Sequence, residues 1–251
     1  MTSSFKHALV TGGSSGIGRA IALDLAAAGM QVTICGRREA ELAKVASMSD
    51  AIHPHVADVT DEASVAALYE VAETARGPFD VVVANAGIAS SAPAHRTTLD
   101  EWNRILTTNL TGAFLTVRPA LKGMAERKAG RVIFIASVAG LRGSAYVAPY
   151  VASKHGVVGL TRALAAELLM TGVTVNAICP GYVETEMLEQ SIQRVMEKTG
   201  RSEAEARQGF AEINPNHRLI TPEEVSAAAM WLVSDAAISV TGQAVPISGG
   251  G

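Results

Sequence analysis

"HALVTGGSSGIGRAIALDLAAAGMQVTICG" (residues 7–36) decides the architecture. Its first five residues are a short apolar run, broken by a glycine-rich turn. A helical pattern begins at Ile17 and ends near Gly29, and "QVTIC" (31–35) starts a second strand. Strand, helix and strand in such close succession form a βαβ unit, whose strands pair in parallel through a right-handed crossover.

The same rhythm continues outward from this unit. A helix is expected from about Glu39 to Met48, a third strand ends in "HPHVAD" (53–58), and 61–75 reads as helix. "FDVVVANAG" (79–87) is apolar without alternation, which marks a strand covered on both faces. A long helical region covers 99–128, "RVIFIAS" (131–137) is a fifth strand, and a helix holding Tyr150 runs to about Met170. "VTVNAICPG" (173–181) is a sixth strand, 222–234 a last helix and "QAVPI" (243–247) a short final strand. The spacing predicts an α/β fold: one Rossmann-type domain over 1–251, with a doubly wound parallel sheet of about seven strands. Residues 185–216 break the rhythm as two short helices, the second opened by a capping box of Ser202 and Glu205. Ligands of such sheets lie beyond the carboxyl ends of the strands. An insertion following strand six is therefore expected to act as a helical substrate lid.

Composition narrows the function. A net charge of −3, with 21 basic and 24 acidic residues, gives no footprint for nucleic acid or an anionic membrane. Cys35 and Cys179 each end an apolar run and read as buried thiols in a reducing, cytoplasmic setting. "MTSSFKH" leads directly into a strand and leaves no apolar core for a signal peptide. His53 and His55 alternate on strand three without a further ligand, so no metal is expected.

The turn "TGGSSGIG" (11–18) connects the first strand to the first helix. Gly12 allows the sharp bend, Gly16 the close approach of a pyrophosphate and Gly18 close helix packing. Ser14, Ser15 and Ile17 complete a loop whose helix N-terminus offers free N–H groups and positive dipole to phosphates. The second strand ends in "ICGRREAEL". Gly36 stands where NAD-binding folds place a ribose-binding carboxylate, and Arg37 and Arg38 follow. Guanidinium groups match phosphate in bidentate geometry, so NADP(H) is expected in preference to NAD(H).

"APYVASKHG" (148–156) places Tyr150 and Lys154 one helical turn apart. A nearby ammonium, shielded from water, favours the phenolate. Lowering a tyrosine pKa by 3 units takes roughly 4 kcal/mol. Lys154 is also expected to bond the cofactor ribose. Ser137 closes strand five on the same sheet edge, where its hydroxyl and that of Tyr150 can meet a substrate carbonyl.

With these residues in hand, the whole chain resembles a short-chain dehydrogenase/reductase. The matching motifs are "TGGSSGIG", "NAG" (85–87), Asn109, Ser137, "YVASK" (150–154) and "PGYVET" (180–185). The resemblance implies a catalytic set of Asn109, Ser137, Tyr150 and Lys154, with Asn109 holding a water of the proton relay. It implies that Asp58 and Val59 lie near the adenine and Asn85 and Gly87 along the cofactor. Pro180, Gly181, Val183 and Thr185 correspond to the segment facing the nicotinamide. A homotetramer built partly from 99–128 and 150–170 is implied as well.

In detail the chain is similar to 3-oxoacyl (CoA or carrier-protein) reductases and type II polyketide ketoreductases, and also to 3-hydroxybutyrate dehydrogenases. The positions that fix a free carboxylate in the last group correspond here to Ala89, Ala139 and Val147. The expectation is therefore an NADPH-dependent reductase of a 3-oxoacyl thioester. Arg127 and Lys128 are candidates to meet a carrier protein, and Arg194, Lys198, Arg201 and Arg207 to meet a CoA phosphate. Met187, Leu188, Ile192, Met196 and Phe210 read either as lid packing or as an acyl pocket. An NADP-linked dehydrogenase of small neutral ketones or secondary alcohols stays open, as does a non-catalytic dinucleotide sensor.

Overall fold

The computed structural model describes residues 5–250. Residues 1–4, which entered the leader reading, and Gly251 lie outside them. The chain runs β1 (His7–Thr11), α1 (Gly16–Ala27), β2 (Gln31–Gly36), α2 (Glu39–Ala46), β3 (Ile52–Val56), α3 (Glu62–Arg76) and β4 (Val81–Ala84). It continues with α4 (Leu99–Leu106), α5 (Gly112–Arg127), β5 (Gly130–Ile135), α6 (Ala148–Glu167) and β6 (Val173–Pro180). The lid helices α7 (Glu186–Thr199) and α8 (Glu203–Ile213), then α9 (Pro222–Val233) and β7 (Ala244–Ile247), complete it. All seven strands are parallel, in the order β3-β2-β1-β4-β5-β6-β7. The order reverses between β1 and β4, which opens a crevice at their carboxyl ends.

Strand side chains alternate between two cores, as a pleat requires. Leu9, Val82, Ala84, Val132 and Phe134 pack beneath α3, α5 and α6. Ala8, Val10, Val81, Val83 and Ile133 pack beneath α1, α2 and α9. Both cysteines are free and buried.

Two expected elements differ. The strand read over 79–87 ends at Ala84, because Asn85 to Gly87 leave the ladder to bond Thr11 and approach Asn109. The helix read over 99–128 is interrupted by a π-turn at Thr107–Thr111, which carries the buried Asn109. The lid keeps its predicted form: Ser202 and Glu205 make the capping box. Leu188, Ile192, Ala206, Ala211 and Leu219 give it a small core of its own.

At the opposite sheet edge His7 is buried, with Nδ1 2.8 Å from the Gly77 carbonyl and Nε2 2.9 Å from Thr33 Oγ1. A carbonyl only accepts, so Nδ1 donates and Nε2 accepts from the Thr33 hydroxyl. Burial lowers the His7 pKa to about 4, and Arg76 adds to the effect while the Gly77 bond and Asp80 oppose it. Its unfolded value is near 6.5, so stability is full above pH 6.5. It is lost as pH falls toward 4, by roughly 3 kcal/mol. Urea midpoints at pH 7, 5.5 and 4 are expected to fall more steeply for wild type than for His7→Gln. Parallel curves would remove His7 as a cause of acid lability.

Candidate active site

The strand ends at the crevice bring together what the sequence separates. Gly12 N–H donates to the Cys35 carbonyl at 2.8 Å, folding the turn against β2. Gly12 and Gly16 have φ of +63° and +52°, which L side chains rarely adopt. A Cβ on Gly18 would stand 2.3 Å from the Gly12 carbonyl oxygen, so helix α1 can start this close only with glycine there. Ser15 caps α1 without a side-chain bond, and the first turn holds no acidic residue. Its N–H groups and dipole therefore face outward.

A cleft of about 290 Å³ separates this turn from the start of the lid, lined by Ser15, Gly16, Arg19, Glu184, Thr185, Glu186, Glu189 and Arg207. Donor N–H groups, a tight glycine bend and a cleft at the switch point suit a dinucleotide phosphate group.

Asn85 steadies the turn from β4. Its Nδ2 donates to the Thr11 carbonyl at 2.8 Å and to that of Gly12 at 3.2 Å. Thr11 Oγ1 in turn accepts from the N–H groups of Asn85 and Ala86. Thr11 was not singled out in the sequence; its place at the last position of strand one, before the glycines, is the signal that marks it.

The two arginines diverge. Arg37 turns to Asp58, with Nη1 3.9 Å from Oδ2. The Asp58 carboxyl is held low, chiefly by the Thr60 N–H, with a smaller contribution from Arg37. Arg38 turns to the phosphate turn instead, its Nη2 3.4 Å from Ser14 Oγ, 3.3 Å from Ser15 Oγ and 2.9 Å from Glu186 Oε2. Val59 lies buried against Gly112 at the start of α5.

On the other side of the crevice, Ser137 follows β5 and Tyr150 stands in the first turn of α6. Pro149 sits at the start of that helix, where its missing N–H costs nothing. The Ser137 hydroxyl donates to the Pro180 carbonyl at 3.4 Å and lies close enough to the Tyr150 phenol to work against the rise in its pKa. Lys154 is buried. Its ammonium donates to the Ile135 carbonyl at 2.7 Å and stands 5.6 Å from the Tyr150 ring centre. Burial pulls the Lys154 pKa down to about 8.

The phenol departs from expectation. Burial pushes the Tyr150 pKa up, Ser137 works against that, and Tyr182 and Cys179 add to the rise. The lysine lies beside the phenol, yet its charge does not outweigh burial.

Asn109 has its side chain fully engaged. Oδ1 accepts from Ile88 N–H at 2.8 Å, while Nδ2 donates to the Ile88 carbonyl at 2.9 Å and to Ser153 Oγ at 3.1 Å. Its amide thus fastens the segment after β4 to α6, and Ser153, unremarked in the sequence, is the other half of that fastening. Gly87 passes between these groups: a Cβ there would lie 3.3 Å from Asn109 Oδ1 and 3.7 Å from Lys154 Nζ. Val183 is buried and bridges Ile220, and Thr185 caps α7. Gly181 lies against Asn214, whose amide bonds both main-chain groups of Tyr182.

Two of the cations named for a carrier protein or a CoA phosphate are already engaged. Arg127 donates to the Phe79 carbonyl at 2.9 Å and lies 3.7 Å from Asp80. Arg207 pairs with Glu189 at 2.6 Å. In the lid, Leu188 and Ile192 are core, with Met196 and Phe210 packed on them. Met187 stays more exposed.

A glycine turn at the switch point suited to phosphate, facing a hydroxyl–phenol–ammonium cluster, is the arrangement of a dinucleotide-dependent oxidoreductase. The family description "short chain dehydrogenase" matches residues 6–195, and the chain belongs to that family. It is 39% identical to D-beta-hydroxybutyrate dehydrogenase of Cupriavidus necator, over 98% of this chain and 97% of that protein. It is also 39% identical to acetoacetyl-CoA reductase of Shinella zoogloeoides, over 97% of each. Among solved structures, a single-substitution variant of actinorhodin polyketide ketoreductase with NADPH superposes with a TM-score of 0.94 at 38% identity, covering 98% of this chain and 97% of that one. No helix among the described residues is long and apolar enough to cross a membrane.

Proposed function

We propose that the chain is an NADPH-dependent reductase that converts a 3-oxoacyl thioester to the 3-hydroxyacyl product. The observation that carries it is the Ser137–Tyr150–Lys154 cluster, and the positions that the resemblance matches to a free-carboxylate clamp hold Ala89, Ala139 and Val147, which bring no charge. Two relatives at equal identity are named for the free hydroxy acid and for the CoA thioester, so overall similarity does not choose between them. The lack of an anion clamp favours the thioester, whose carbon chain carries no charge next to the reacting ketone.

Bound NADPH would supply the hydride. Ser14, Ser15 and the α1 N-terminus would hold its phosphates, with Gly12, Gly16, Ile17 and Gly18 shaping the turn. Arg38 and Arg37 would receive the 2′-phosphate, and Asp58 with Val59 would border the adenine. Asn85 and Gly87 would line the middle of the cofactor, and Pro180, Gly181, Val183 and Thr185 its nicotinamide end.

Ser137 would donate to the substrate carbonyl and fix its direction. Tyr150 would transfer its proton to the forming alkoxide. The raised Tyr150 pKa suits this direction, since a reductase needs the neutral phenol. Lys154 would bond the ribose and ease departure of the phenolic proton. Asn109 would position Gly87 and α6 through its side-chain amide, leaving the relay water assigned to it to be held by another of its groups.

The homotetramer expected for the family is supported by Leu99, Trp102 and Phe114, large apolar side chains exposed on α4 and α5. Acetoacetyl-CoA, acetoacetate and a small neutral ketone, compared as substrates with NADPH, test the reading. The expected kcat/KM ratio favours the thioester by at least about a hundredfold, the scale of two or three lost charge-assisted bonds for the acid. Preference for acetoacetate would transfer the enzyme to the hydroxy-acid side; turnover of neutral ketones alone would transfer it to the alcohol dehydrogenases.

A further inference from the structure

The cleft that would take the pyrophosphate carries an unexpected charge. Three carboxylates line it, Glu184 just before the lid and Glu186 and Glu189 on α7, against Arg19 and Arg207. Of these acids Glu186 reaches across the cleft. It is the first residue of α7, and its Oε2 lies 2.9 Å from Arg38 Nη2, joining positions 148 residues apart.

Nη2 carries two hydrogens but has three acceptors nearby: Glu186 at 2.9 Å, Ser15 at 3.3 Å and Ser14 at 3.4 Å. A phosphate monoester bound bidentately to a guanidinium takes one hydrogen from each of two nitrogens. The same Arg38 edge cannot serve Glu186 and a phosphate together. Bringing a dianion beside the carboxylate would also add like-charge repulsion. The pair is half exposed on both sides, 53% and 51%, so it is weak enough to exchange.

We propose that Glu186 is a specificity-determining residue that competes within the chain for the cofactor's 2′-phosphate. Its carboxylate holds Arg38 when no phosphate does, and it leaves when NADP(H) binds. NAD(H), which lacks that phosphate, leaves the contact intact. The first residue of α7 thereby senses which dinucleotide is present, and the preference for NADPH is smaller than Arg38 alone would give. This inference rests on the NADP(H) reading.

Dissociation constants of NADPH and NADH, followed by cofactor fluorescence, are to be measured for wild type, Glu186→Gln, Arg38→Ala and the double variant. Glutamine retains the shape and removes the charge. Expected are a three- to tenfold tighter Kd for NADPH in Glu186→Gln, less than twofold change for NADH, and no effect of the substitution in the Arg38→Ala background. Equal tightening of both cofactors would overturn the proposal, because Glu186 would then act on the shared pyrophosphate. An unchanged NADPH Kd in Glu186→Gln, beside a wild type that still prefers NADPH, would overturn it and leave the cofactor reading standing. A wild type without preference for NADPH would overturn both.

Discussion

Tyr150→Phe is expected to lower kcat for ketone reduction by about 10²–10⁴-fold, the usual contribution of a positioned general acid. The substitution removes one oxygen and no ring contacts. The fold and the Kd for NADPH should therefore stay within about twofold of wild type. The lost group is the phenol beside Ser137, neutral at physiological pH and kept so by burial to still higher pH. Steady-state kinetics beside a fluorescence titration separate the two effects. A fall of less than tenfold in kcat would assign proton delivery to another group.

Lys154→Met carries the second large effect, with stability moving apart from activity. Burial holds the Lys154 pKa near 8, against 10.5 in water, so keeping the ammonium in the folded protein costs roughly 3 kcal/mol at neutral pH. Methionine removes that cost but leaves the Ile135 carbonyl without its donor, about 1–3 kcal/mol in the other direction. The expected Tm is unchanged or higher, while kcat falls at least about a hundredfold.

The pH dependence follows from the same pKa. A depressed lysine is charged below pH 8 and neutral above it, and in the proposed mechanism that charge assists the phenol. Wild-type reduction should therefore decline as pH passes about 8, well before Tyr150 itself ionises. Lys154→Met should lack that decline. A large loss of Tm would show instead that the lysine was a net stabilising group.

The physical difference between local and distant information sorts what the sequence disclosed. The glycine turn, the doubly covered β4 and the Ser202–Glu205 capping box are written within a few residues of themselves, and each was readable. The π-turn at Thr107–Thr111 was not, since one extra residue per turn hardly disturbs an apolar repeat. The end of β4 was overrun because Ala86 and Gly87 continue its small-residue character past Asn85, while the N–H groups of Asn85 and Ala86 bond Thr11 and Gly87 borders Asn109.

In the candidate site the residue types and their helical spacing were legible, but burial was not. The pKa of Tyr150 is governed by burial, so its direction came out opposite to that expected from Lys154 alone. Arg37 and Arg38 are adjacent in sequence and looked equivalent. Asp58 draws one and Glu186 the other, and the second partner is invisible without the fold. Arg127 looked free at a helix end until the fold brought Phe79 and Asp80 beside it.

The most direct measurement is a single turnover: enzyme preloaded with NADPH is mixed with acetoacetyl-CoA at pH 7 and the loss of reduced cofactor is followed. The expected result is a first-order decay that consumes one cofactor per site and yields an equal amount of 3-hydroxybutyryl-CoA. Persistence of NADPH in a complex that demonstrably binds it would contradict the assignment of this site to thioester reduction.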